Sequence, residues 1–86
     1  MLFNNQGVKI SYPCSWSYKV IGPDKDRVKD AISGIFTARD YKLRYAKASR
    51  TGKYHSWSIS LWVESEAERN SLFAELKSHT DIKVVI

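Results

Sequence analysis

The feature that most constrains this chain is the stretch from Gly52 to Val63, Gly-Lys-Tyr-His-Ser-Trp-Ser-Ile-Ser-Leu-Trp-Val, the longest strict alternation in the sequence. His55, Trp57, Ile59, Leu61 and Val63 share one parity, and Tyr54, Ser56, Ser58, Ser60 and Trp62 share the other. Successive side chains of a strand point to opposite faces. The stretch therefore predicts a strand with an apolar core face and a serine-rich face closed at each end by an aromatic.

A partner strand precedes it. From Asp40 to Ser49 the period is again two, with Tyr41, Leu43 and Tyr45 opposite Lys42, Arg44 and Ala46. Burying both apolar sets on one face requires Tyr45 opposite Trp57, Leu43 opposite Ile59 and Tyr41 opposite Leu61, because a slip of one residue sends a whole set to the other face. That register leaves Arg50, Thr51 and Gly52 as a three-residue loop, and such loops usually end in the left-handed conformation that glycine adopts freely.

The flanking segments supply the remaining elements. Residues 1–11 show no sustained period and read as a flexible amino-terminal arm. Tyr12-Pro13 is an extended dipeptide, followed by a strand in which Trp16, Tyr18 and Val20 alternate with Ser17, Lys19 and Ile21, ended by Gly22-Pro23. Val28, Ala31, Ile32, Ile35 and Phe36 then fall at helical spacing behind Asp24 and Asp26, acids that the helix dipole favours at an amino terminus. Gly34 inside that helix marks close packing or an early end. Ser65 with Glu68 forms a capping-box pattern that opens a second helix, with Leu72, Phe73 and Leu76 as its core stripe and an end near His79. Ile82, Val84 and Ile86 read as the core side of a last short strand. The order strand, helix, strand, strand, helix, strand predicts an α+β domain over residues 12–86. It is the ferredoxin-like βαββαβ arrangement of a four-stranded antiparallel sheet with two helices on one face.

Composition bounds the function. A chain of 86 residues forms one domain whose stability rests on a few large side chains, here three Trp, five Tyr and three Phe. The one cysteine, Cys14, excludes an internal disulfide and a zinc site of paired cysteines, and points to a reducing cytoplasm. No charged leader or membrane-length apolar run is visible, so no membrane partner is expected. The net charge of +5 is local: Arg39 to Lys53 holds six bases against the single acid Asp40, and the rest of the chain balances. Such a segment is a footprint for an anionic partner, and its plainer reading is an edge strand protected from aggregation by Lys and Arg.

Two stretches carry a resemblance. Tyr-Pro-Cys-Ser-Trp-Ser-Tyr-Lys-Val-Ile-Gly, residues 12–22, and Ser-Arg-Thr-Gly-Lys-Tyr-His-Ser-Trp-Ser-Ile, residues 49–59, resemble the signatures of the YbeD-like family of small bacterial proteins. The resemblance covers residues 12–86. It implies a ferredoxin-like domain related in shape to ACT-type regulatory domains, and carries over no catalytic residue.

In that fold the first and third strands are central, the second is an edge, and the face away from the helices is open. Parity assigns to the open face Ser17, Lys19, Ile21, Lys42, Arg44, Ala46, Tyr54, Ser56, Ser58, Ser60, Trp62, Lys83 and Val85. Candidate binding residues are Lys19, Gly22, Lys42, Arg44, Arg50, Lys53, Tyr54, Ser56, Ser58 and Trp62. Gly22 is a candidate effector contact at the first strand-to-helix turn.

Three functions compete for these residues. The first is a regulatory association surface for a protein partner, a second copy or a small effector. The second is single-stranded nucleic acid, stacked on Tyr54 and Trp62 and held by Lys42, Arg44, Arg50 and Lys53; against it, the two aromatics lie about 26 Å apart along the strand. The third is an enzyme of acylphosphatase type. Its phosphate loop needs clustered backbone donors, and Gly22-Pro23-Asp24-Lys25-Asp26-Arg27 offers one glycine, a proline without a donor and two acids. No cofactor, metal set or catalytic group emerges. His55 reads as a packed, hydrogen-bonded histidine, His79 as a helix-end residue, and the serine row as a solvated strand face.

Overall fold

A computed structural model of the chain describes residues 10–86. Six elements follow in order: β1 (Cys14–Gly22), α1 (Lys25–Ile35), β2 (Tyr41–Ala48), β3 (His55–Val63), α2 (Glu66–Ser78) and β4 (Val84–Val85). The strands form one antiparallel sheet in the order β2-β3-β1-β4, which makes β1 and β3 central. The expected ferredoxin-like βαββαβ arrangement is the observed one. The amino-terminal arm expected over residues 1–11 lies almost wholly outside the described residues.

Periodicity becomes packing in a direct way. Tyr18 and Val20 of β1, Trp57, Ile59, Leu61 and Val63 of β3, Val28, Ala31, Ile32 and Phe36 of the α1 region, Leu72 and Leu76 of α2, and Ile82 form a single buried cluster. Each large aliphatic or aromatic member stabilises the fold by about 1.5–3 kcal/mol through burial. The two polar aromatics in the cluster find partners, as buried donors must. Tyr18 Oη donates to the Arg69 carbonyl at 2.6 Å, and Trp57 Nε1 donates to the Lys25 carbonyl at 3.1 Å. Burial pushes the Tyr18 hydroxyl up to a pKa of about 12.

The helix starts are built by their caps. Asp24 Oδ1 accepts from the Arg27 N–H at 3.0 Å, and Ser65 Oγ from the Glu68 N–H at 3.1 Å. Glu68 returns the interaction one residue further out, accepting from the Glu64 N–H at 2.7 Å, and also pairs with Arg39. The backbone donor from Glu64 and then Arg39 hold its carboxyl below the usual glutamate range.

The hairpin register matches expectation at Tyr45 with Trp57, Leu43 with Ile59 and Tyr41 with Leu61. Beyond Tyr45 it differs, because a β-bulge at Ala46 brings Lys47 opposite Ser56 and Ala48 opposite His55. The loop is consequently four residues, Arg50 to Lys53, closed by the Ser49 N–H donating to the Tyr54 carbonyl at 2.7 Å. Gly52 takes the expected left-handed conformation, with φ of 76°.

Two further expectations change. β4 has the opposite phase: Val85 pairs with Val20 and packs on the core, whereas Val84 pairs with Ile21 on the open face. The chain turns between Ile82 and Val84, so two core residues stand three apart instead of two. Gly34 has nothing within 4 Å of a Cβ built on it, which removes close packing as its explanation and leaves its place one residue before the last helical residue.

Candidate functional site

The face of the sheet away from the helices can be drawn row by row from the strand register, because residues directly opposite one another share a face. Lys47, Ser56, Ile21 and Val84 form one row across β2, β3, β1 and β4. Arg44, Ser58 and Lys19 form the next, completed by Ile86, whose N–H donates to the Lys19 carbonyl at 2.9 Å. Lys42, Ser60 and Ser17 form a third, and Trp62 opposite Ser15 a fourth. The rows sort the surface into lanes. Cations run down β2, hydroxyls run down β3 and the start of β1, and apolar side chains gather at the β4 edge.

The central row is the most telling. Ser58 has Arg44 on one side and Lys19 on the other, each one strand away at about 5 Å between neighbouring Cβ atoms. Two cations thus flank a hydroxyl at a separation that long side chains can close over an anionic group. An open depression of about 530 Å³ lies on this side of the row, lined by Lys42, Leu43, Arg44, Ser58 and Ser60. A second, of about 570 Å³, adjoins it and shares Lys42 and Ser60, extending to Trp62, Ser15 and Asp40.

The electrostatics are simple. Among the described residues the ion pairs are Arg27 with Asp81, Arg39 with Glu68 and His79 with Asp81, all outside these rows. Lys19, Lys42, Arg44 and Lys47 make no ion pair among the described residues, and Asp40 lines one corner of the adjoining depression. Arg39, one of the six bases in the basic segment, is drawn away to cap α2 through Glu68. The serines partly satisfy one another, with Ser17 Oγ 3.2 Å from Ser60 Oγ.

The ten candidate binding residues divide into three groups. Lys19, Lys42, Arg44, Ser56, Ser58 and Trp62 come together on the open face, with Trp62 58% exposed. Arg50, Lys53 and Tyr54 lie at the hairpin tip, beyond the serine lane. Gly22 is buried: a Cβ there meets the Asp81 carbonyl oxygen at 2.3 Å and Val28 Cγ2 at 2.5 Å, so the residue serves the close approach of β1 to the turn before β4.

Sequence reasoning missed Lys47, Val84 and Ile86. Lys47 reaches the open face only through the bulge, and Val84 and Ile86 replace Lys83 and Val85 because of the phase of β4. Val84 is 44% and Ile86 71% exposed, which gives the face an apolar border.

The groups weighed as catalytic lie apart. Cys14 pairs with Val63 and Gly22 with His55, at opposite ends of the β1–β3 ladder. His55 Nδ1 is 2.8 Å from Tyr45 Oη, and His79 Nδ1 accepts from the Asp81 N–H at 3.2 Å. Among the described residues no group of three or more His, Cys, Asp or Glu side chains is set to hold a metal, and no helix is long and apolar enough to cross a membrane.

Known proteins share this architecture. The chain is 33% identical over 70 residues to an uncharacterised protein of Campylobacter jejuni, covering 81% of this chain and 80% of that one. The solution structure of protein HP0495 from Helicobacter pylori matches with a TM-score of 0.80 at 28% identity, over 100% of this chain and 94% of the other. The ACT domain from a GTP pyrophosphokinase of Chlorobium tepidum shares the fold, with a TM-score of 0.65 at 16% identity over 86% of this chain and 96% of that domain. The resemblance to small bacterial proteins of ferredoxin-like, ACT-like shape therefore holds, and the chain belongs to the family described as protein of unknown function DUF493, whose model matches residues 8–86.

Proposed function

We propose that this chain is a non-catalytic binding and regulatory module whose open sheet face takes an anionic effector, centred on Lys19, Ser58 and Arg44. The observation that carries this reading is the central row itself: two cations without carboxylate partners flank a hydroxyl, in register, on a face that no helix covers. Anion recognition by such a row gains from charge-assisted hydrogen bonds and from two adjoining depressions that give a ligand body somewhere to lie. The shared fold with an ACT domain supports the regulatory reading at the level of fold alone.

Amide chemical-shift mapping with a pool of anionic metabolites tests it. Saturable shifts concentrated on Lys19, Arg44 and Ser58 are expected, and a pool that shifts only the hairpin tip, or nothing, contradicts the reading.

A second reading, single-stranded nucleic acid, is favoured by one observation. Tyr54 and Trp62 are 47% and 58% exposed at the two ends of the face, with Arg44 and Lys42 between them. Short RNA and DNA oligonucleotides titrated at two salt concentrations separate the readings. A phosphate-tracking site loses affinity steeply with salt and shifts both aromatics, whereas a small effector site leaves Tyr54 unmoved.

A further inference from the structure

The two depressions on the open face differ in chemistry and meet at a common wall. The one beside Arg44 has Lys42, Ser58 and Ser60 around it and no acid among its lining residues. Its neighbour shares Lys42 and Ser60 and continues to Trp62, Ser15 and Asp40. Arg44 and Lys42 stand on the same face of β2, two residues and about 7 Å apart along the strand, a spacing that gives each cation an anionic group of its own. Ser58 and Ser60 lie opposite them on β3 and add a hydroxyl to each.

Trp62 ends this lane. It is 58% exposed and stands outside the core cluster, which leaves its ring to a ligand. Four residues of β3 separate it from Ser58, about 13 Å along the strand. Asp40 sets a carboxylate, an acceptor without donors, at this aromatic end of the lane. The lane is therefore polarised: two cations at one end, hydroxyls between, and an indole with a negative acceptor at the other.

We infer, resting on the anion-binding reading above, that the ligand of this face is a nucleotide carrying two or more phosphates. The phosphates lie against Arg44 and Lys42, and the base stacks on Trp62 with an N–H of its edge donating to Asp40. The sugar spans the shared wall at Ser60, whose Oγ is 3.2 Å from Ser17 Oγ. The ends of the lane select this class. A bare polyphosphate gains nothing from the indole and is repelled by Asp40, and an uncharged aromatic leaves both cations without a partner. A polynucleotide that runs on past Trp62 brings its next phosphate towards Asp40, so charge favours a single nucleotide over a strand.

Titration of the full chain with ADP, GDP and inorganic pyrophosphate, read by amide and indole N–H shifts, tests the inference. Saturable shifts on Arg44, Lys42 and the Trp62 indole are expected with at least one of the two nucleotides, with affinity on the order of tenfold above that of pyrophosphate. Trp62→Ala is expected to bring the nucleotide down to the affinity of pyrophosphate and to leave pyrophosphate itself unchanged, and Trp62→Phe to restore part of the difference. Pyrophosphate binding as tightly as both nucleotides, or nucleotide binding indifferent to Trp62→Ala, overturns the inference and leaves the anion-binding reading standing. No binding by any of the three overturns both. A short oligonucleotide that binds more tightly than either nucleotide and shifts Tyr54 as well as Trp62 overturns it in favour of a single strand.

Discussion

Gly22→Ala separates a structural glycine from a ligand-contacting one at the turn between β1 and α1. The added methyl meets the Asp81 carbonyl oxygen at 2.3 Å and Val28 Cγ2 at 2.5 Å, both well inside van der Waals contact. Neither can move cheaply. Val28 is fully buried, and Asp81 lies in the turn that leads to buried Ile82 and to Lys83, whose N–H donates to the Ile21 carbonyl at 2.8 Å. Overpacking of this kind costs about 1–3 kcal/mol, and a backbone oxygen as the obstacle places this case at the upper end. For a domain of this size each kcal/mol lowers Tm by roughly 4–8 °C, so a loss of about 10–20 °C is expected in a thermal melt, with a matching fall in the urea midpoint. A variant within about 0.5 kcal/mol of the parent refutes the close approach, and with it the structural reading of Gly22.

Other perturbations follow from the same geometry. Gly34→Ala, with nothing within 4 Å of the new methyl, is expected to stabilise by up to about 1 kcal/mol in urea unfolding; destabilisation places an obstacle where none is seen. Ser65→Ala removes the acceptor for the Glu68 N–H and is expected to cost about 1 kcal/mol by the same assay. Tyr18 titrates near 10 when unfolded and near 12 when folded, so the unfolded chain loses its proton first and stability falls between those pH values. A difference of two units corresponds to roughly 2–3 kcal/mol, and Tyr18→Phe is expected to remove that part of the alkaline slope.

The sequence made most of the fold legible where one parity is apolar and the other polar. Tyr41, Leu43 and Tyr45 could face only Leu61, Ile59 and Trp57, and the acids Asp24 and Asp26 and the capping box at Ser65 announced the two helices. The misses have a common physical cause. Ala46 to Ser49 offers small and polar residues on both parities, so a bulge costs nothing visible in the pattern, yet it carries Lys47 to the open face. Val84, Val85 and Ile86 are apolar on both parities, so hydrophobicity cannot set the phase of β4; the turn at Ile82 does. Gly22 reads in sequence as an effector contact at a turn, whereas its close neighbours are Asp81 and Val28, which lie far along the chain or on another element and leave no local signal. For the site, composition located the basic segment and parity located the face. The row of Lys19, Ser58 and Arg44 needed the three-strand register, which joins residues from three separate segments.

We propose this row as the place where an anion binds. Its most direct test is amide shift mapping of the isotopically labelled chain titrated with inorganic tripolyphosphate, in the parent and in Arg44→Ser, a change at an exposed edge-strand position. Saturable shifts centred on Lys19, Arg44 and Ser58 are expected in the parent, with affinity reduced on the order of tenfold in the variant. Shifts confined to Arg50 and Lys53 at the hairpin tip, or a titration that Arg44→Ser leaves unchanged, contradict it.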